Sequence, residues 1–410
     1  MLWLISLIWA CGGVEPIAPD PTPEPPPLPA AQVAACNPAV KFVVPTNQHK
    51  TPRPAAVTPQ LAKTRKILET VVRDHGRDPA NPWAIGHAML ALGPDVELTN
   101  GKVATDWLFE EYAQVRQLEG DDGIAFPSKR GNIRIEPHTD LILKALTETG
   151  VAHERKVMVD GKPFTVGDLY RGSLCRAWVE GSNTAFQSWN DTPWALQGLA
   201  TWAPPDLSWN ADGGHAMTLD DFTHAAVDKL RAETAFMRDA MAMGEAVQKK
   251  KQGIFAYTCG GTHLVQGAAY AVARGFGEPE DRKRLAKEVE VMFWRLDVEL
   301  DIYDQALVQA PEYTVILLEQ RLKFLGHFLE TQHKLAAEGL YTPDDAQQAK
   351  LERALTELIA TVGKLEQAKV FGNLRQLLPK QEQMYLDFVG DAAHAIRGID
   401  LATGKGTVAL

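Results

Sequence analysis

One motif recurs along this chain. A polar or Gly/Pro-rich turn runs into a compact, Ala- and Leu-rich apolar segment of helical length. The copies are 81–93 (NPWAIGHAMLALG), 136–150 (EPHTDLILKALTETG), 190–204 (NDTPWALQGLATWAP), 260–277 (GGTHLVQGAAYAVARGFG) and 311–330 (PEYTVILLEQRLKFLGHFLE). A helix that is apolar on nearly every side has to be buried. Between the copies lie longer stretches with charge on one side, at about 58–74, 103–118, 166–179, 219–247, 279–308 and 343–370. A last segment begins near Pro379, so the long and short segments alternate as six pairs. That alternation predicts an all-α chain, an (α/α)6 toroid with short helices inside and long amphipathic helices outside. No Pro/Gly-rich linker interrupts it, which predicts one domain over 58–410. The one clear strand signal is 156–166 (KVMVDGKPFTV), with Asp160-Gly161 as a type I′ hairpin turn.

The first 57 residues have a different composition. An apolar run, 2–10, ends directly before Cys11-Gly12-Gly13. The string LIWAC resembles the lipobox of bacterial lipoproteins, which implies a signal peptide over 1–10 and a lipid on Cys11. A proline-rich stretch follows within 11–57, too stiff and polar to build a core and suited to a tether. Gly12, rather than Asp, after the cysteine implies an outer-membrane anchor facing the periplasm. Of the other cysteines, Cys36, Cys175 and Cys259, at least one must stay out of any intramolecular disulfide.

The formal net charge of −10 argues against nucleic acid as a partner, since phosphate binding needs clustered Lys and Arg. The one basic run, Lys249-Lys250-Lys251, reads as a solvated loop.

TCGGTH (258–263) is the most suggestive string for chemistry. Cys259 and His263 are both soft-metal ligands, and Gly260-Gly261 lets the turn fold so that both face one point. A thiol at a helix start is biased towards thiolate. The longer segment 253–273 (GIFAYTCGGTHLVQGAAYAVA) is similar to the repeat of the protein prenyltransferase and terpenoid cyclase superfamily, whose members are α/α toroids. The acidic Asp-x-Asp-Asp motif of the cyclases and their Gln…Trp repeats do not occur in this chain. Prenyltransferases hold zinc with an Asp, a Cys and a His from neighbouring inner helices. The resemblance therefore implies Asp191, Cys259 and His263 as a zinc trio with one open position.

Other polar groups fall at the predicted inner helix starts. His138 lies two residues from both Glu136 and Asp140, the arrangement of a carboxylate-oriented base. His138, Asp140, Asn190 and Tyr257 are the candidate catalytic groups. Trp189, Trp194 and Arg134 are candidate contacts for a small-molecule, isoprenoid or glycan ligand. His87, one turn inside its helix, reads as a buried, hydrogen-bonded histidine. Three functions stay open at this point. The first is a metal-assisted hydrolase or transferase. The second is a metal-free glycan-processing enzyme: a glycosidase using Glu136 or Asp140 with Asp191, or a lyase using Asn190, His263 and Tyr257. The third is a non-catalytic envelope protein that binds a ligand or partner.

Overall fold

Each apolar segment becomes a helix. The computed structural model describes residues 36, 38–45, 48–49, 51–181, 183–185, 189–378, 380–405 and 408–409. In chain order its α-helices are α1 (Pro59–His75), α2 (Pro82–Leu92), α3 (Ala104–Tyr112), α4 (Leu141–Glu148) and α5 (Val166–Arg176). Then come α6 (Thr192–Trp202), α7 (Leu219–Glu233), α8 (Ala235–Met243) and α9 (Thr262–Ala273). The last four are α10 (Asp281–Gln309), α11 (Thr314–Ala337), α12 (Asp345–Gln367) and α13 (Glu382–Ala402). Asn81 caps α2 by accepting from the Ala84 amide, and Thr58 caps α1 by accepting from Leu61, each just before a helix-initiating proline.

Six helices carry the buried faces. In α6 every residue from Thr192 to Trp202 is buried, and in α9 every residue from Thr262 to Val272. They pack in sequence: α2 on α4, α4 on α6, α6 on α9, α9 on α11, α11 on α13, and α13 back on α2. The contacts advance in the same direction along both members of a pair. His138 meets Trp194 and Leu143 meets Gly198; His263 meets His327 and Gln266 meets Thr331. Close approach needs small residues at two crossings. A Cβ on Gly267 would lie 2.6 Å from the Pro193 carbonyl, and one on Gly390 2.7 Å from the Trp83 ring. The more charged helices pack outside these: α1 on α13 and α2, α12 on α11, and α10 on α11, α9 and α7.

Two long segments differ from their predicted lengths. The expected helix over 103–118 stops at Tyr112, and 114–118 forms strand β2 of a hairpin. The expected helix over 219–247 is interrupted at Thr234, whose hydroxyl donates to the Leu230 carbonyl, and α8 resumes after it. The 156–166 hairpin is present, with Asp160 (φ 50°) and Gly161 (φ 73°) both left-handed as a type I′ turn requires. It is not alone. With β1 at Gln48–His49, β2 (Gln114–Leu118) pairs with β3 (Asp121–Ala125), and β4 (Lys129–Arg130) with β5 (Ile133–Arg134). After β6 (Lys156–Val159) and β7 (Lys162–Thr165) come β8 (Val179–Glu180) with β9 (Asn183–Thr184), and β10 (Ser208–Ala211) with β11 (His215–Thr218). The terminal β12 (Val408–Ala409) pairs with β1. Most are too short and too polar to show period-two patterning.

Cys11 and the stretch before Cys36 lie outside the described residues. From Cys36 on, the described chain is tied to the helices: a disulfide joins Cys36 to Cys175, Phe42 stacks on His153 at 4.3 Å, and the Ala55 amide donates to the Ala402 carbonyl. No described helix is long and apolar enough to cross a membrane. The basic run lies in a loop as expected, with Lys251 exposed and Lys250 half-buried, but its first residue is a correction. Lys249 is buried, its Nζ donating to Glu299 at 2.5 Å and to the Tyr303 hydroxyl at 2.6 Å.

Candidate metal centre

The turn before α9 is built from three consecutive left-handed residues: Cys259 (φ 52°), Gly260 (φ 60°) and Gly261 (φ 75°). Glycine bears this at no cost, but cysteine does not, so the Cys259 backbone is held by its surroundings. The Arg295 guanidinium, itself paired with Glu299, donates to the Gly260 carbonyl at 3.0 Å. The Asn190 side chain accepts from the Thr258 amide at 2.9 Å, and the Thr262 hydroxyl donates back to the Cys259 carbonyl. Asn190 thus organises the turn.

This turn brings Cys259 and His263 together with His327 from the middle of α11. One donor atom from each lies within 4.8 Å of the other two. The His327 Nδ1 donates to the Lys323 carbonyl at 2.8 Å, which leaves Nε2 as the lone-pair nitrogen, and Nε2 has no hydrogen-bond partner among the described residues. The Nδ1 of His263 likewise has none. Burial holds both imidazoles well below the usual histidine range; Lys144 and other histidines add to this at His263, and His394 at His327. Neutral imidazole is the form that binds a metal. Cys259, His263 and His327 could therefore hold a metal ion.

More rings surround the trio. Trp194 lies 4.4 Å from His263, and His138 stacks on Trp194 at 4.3 Å with an interplanar angle of 7°. His394 sits 4.0 Å from His327 and 5.3 Å from His263, its Nδ1 donating to Glu330 at 2.6 Å. His87 is buried as expected. Its Nδ1 donates to the Trp83 carbonyl at 2.9 Å, and burial pushes its pKa down to about 3.

The remaining sequence candidates disperse. Asp191 pairs with His138 at 3.0 Å and is not in the donor trio, so His327 takes the place expected for it. Asp140 (φ 66°) turns towards α5, accepting from Ser173 at 2.6 Å and Arg176 at 2.7 Å. Glu136 accepts from the Ile142 and Asp140 amides, and burial with the neighbouring Asp140 pushes its pKa up to about 8. The EPHTD string therefore splits, with the Glu136 carboxylate bracing the start of α4, the Asp140 carboxylate tied to α5, and His138 joining the rings. The Tyr257 hydroxyl donates to Glu233, and burial, reinforced by that carboxylate, raises its pKa. Trp189 lies under the Lys229 ammonium at 5.9 Å, and Arg134 is exposed, donating to Gln383.

His327 and His394 are the residues that sequence reasoning missed. Both lie mid-helix, away from any turn motif. For His327 the available signal was a histidine on the apolar segment 311–330; His394 lies on a segment with charge along it, which gave no such signal. Comparison with family models, curated proteins and solved structures finds no match.

Proposed function

We propose that this chain is a metal-dependent enzyme, a zinc-type hydrolase or transferase built on an α/α toroid and carried on a lipid anchor in a bacterial envelope. The observation that carries the reading is the donor trio of Cys259, His263 and His327, drawn from a strained turn and two buried helices. One thiolate and two neutral imidazoles suit zinc and other borderline ions better than hard oxygen-seeking ones. A bound zinc would polarise a substrate oxygen or bring a bound water near a pKa of ~7. The chain's own part is to supply the dry, ring-lined wall of Trp194 and to offer His138, braced by Asp191, as a proton carrier. The toroid reading is supported by the six buried helices that pack in order and return to the first. The envelope reading is supported by the Cys36–Cys175 disulfide, a feature of oxidising compartments.

The sugar-hydrolysis alternative loses support from the same geometry. Its carboxylates are engaged structurally, Asp140 with Arg176 and Asp191 with His138. The test is elemental analysis of the full chain purified without chelator. Stoichiometric zinc is expected, lost in Cys259→Ser and in His327→Ala. Wild-type protein that neither carries nor takes up metal would overturn the proposal and favour a metal-free binding role.

A further inference from the structure

Zinc sites of this kind are four-coordinate, so three protein donors leave one position to assign. It goes to a water or substrate in an open site and to a fourth side chain in a closed one. The surroundings of the trio narrow the choice. Asp191 is already the acceptor for His138. His87 lies against Trp83 and, at 5.4 Å, against His394. His394 is the ring that touches two of the three donors, with centres 5.3 Å from His263 and 4.0 Å from His327.

Its tautomer is set for the task. Nδ1 faces Glu330 Oε2 at 2.6 Å, which puts the proton on Nδ1 and the lone pair on Nε2. A carboxylate behind an imidazole in this way orients metal-binding histidines and raises their basicity. Glu330 is fully buried, and its second oxygen, Oε1, has no hydrogen-bond partner among the described residues. Two imidazoles on one tetrahedral ion, with metal–nitrogen bonds of ~2.0–2.1 Å, hold their ring centres about 5 Å apart. The His263–His327 pair at 5.0 Å and the His263–His394 pair at 5.3 Å both fit that spacing. The His327–His394 pair is tighter at 4.0 Å, and His394 lies outside the group of donor atoms within 4.8 Å of one another, so ion binding has to move the His394 ring relative to His327.

We infer that His394, held by Glu330, is the fourth donor to an ion at Cys259, His263 and His327, so that the resting site is closed by protein and an incoming ligand enters by displacing His394. Glu330 is then a positioning residue, acting through the imidazole. The inference rests on the metal reading above, and its test separates the two.

The test uses the full chain loaded with Co2+, whose visible absorption reports donor number and type. Glu330→Gln should lower Co2+ affinity about 10–100-fold, the usual cost of losing such a carboxylate. His394→Ala should shift the cobalt spectrum and bind azide roughly tenfold more tightly than wild type, because the fourth position is then open. Asp191→Asn serves as the control and should match wild type in affinity and spectrum. Far-UV circular dichroism and melting curves show whether each variant is folded, and the isosteric Glu330→Gln carries the test if His394→Ala is not. The idea is overturned if Cys259→Ser and His327→Ala lose cobalt while Glu330→Gln and His394→Ala keep wild-type affinity, spectrum and azide response. In that case the metal reading stands alone. If wild type binds no cobalt, both fail.

Discussion

His138 donates from Nδ1 to the Asp191 carboxylate across 3.0 Å while its ring lies flat on Trp194. The carboxylate is therefore committed to an imidazole 53 residues away in sequence. Asp191→Asn should leave the metal content of the purified chain unchanged, because the amide oxygen can still accept from His138 and the donor trio does not include this residue. Metal loss on that substitution, measured by elemental analysis beside Cys259→Ser, would return Asp191 to the ligand set.

The Cys36–Cys175 bond closes a separation of 139 residues and ties the segment before α1 to α5. Removing it as Cys36→Ser/Cys175→Ser frees a long loop in the unfolded chain. The expected loss is roughly 2–5 kcal/mol of stability, in the range for native disulfides closing long loops. Equilibrium denaturation of the two proteins measures it; equal midpoints would mean that the bond adds nothing.

What was legible in the sequence follows from range. The buried helices could be read because α6, with Ala195, Leu196, Leu199 and Ala200, carries no charged residue on any side, a property that local composition shows. Cys259 and His263 could be read because the glycines between them announce a turn. His327 could not: it is flanked by Gly326 and Phe328 inside a helix, and only packing across α9 and α11 makes it a neighbour of Cys259. Asp191 shows the converse limit. A carboxylate before a helix can cap, ligate or pair, and only the position of His138 decides among them. The two-residue ladders such as β8–β9 carry no periodic signal, so they too were beyond reach.

Asp140 is fully buried and depends on the Arg176 guanidinium at 2.7 Å and the Ser173 hydroxyl at 2.6 Å; its Oδ2 has no hydrogen-bond partner among the described residues. Arg176→Met removes the cation and leaves a buried carboxylate beside Glu136. The cost should be about 3 kcal/mol, the low end for breaking a buried pair because the guanidinium keeps some solvent contact. Adding Asp140→Asn should recover part of it, since the stranded charge goes too. Metal content should not follow stability in either variant. If Arg176→Met strips the metal from folded protein, Asp140 has a role at the centre that its contacts do not show.

Glu338 closes α11, where it is buried and neither carboxyl oxygen has a hydrogen-bond partner among the described residues. Burial pushes its pKa up from 4.5 to about 8, against the pull of Lys334. The native state therefore holds a proton that the unfolded chain releases above pH 4.5. The stability this group contributes is fully present below that value and is lost as pH rises towards 8, at up to ~1.4 kcal/mol per pH unit. Glu338→Gln keeps the shape and removes the titration. Its melting temperature should be close to wild type near about pH 5 and clearly higher near about pH 8, with the gap widening between. A gap that does not change with pH would mean that Glu338 is already ionised in the folded protein, with Lys334 outweighing its burial.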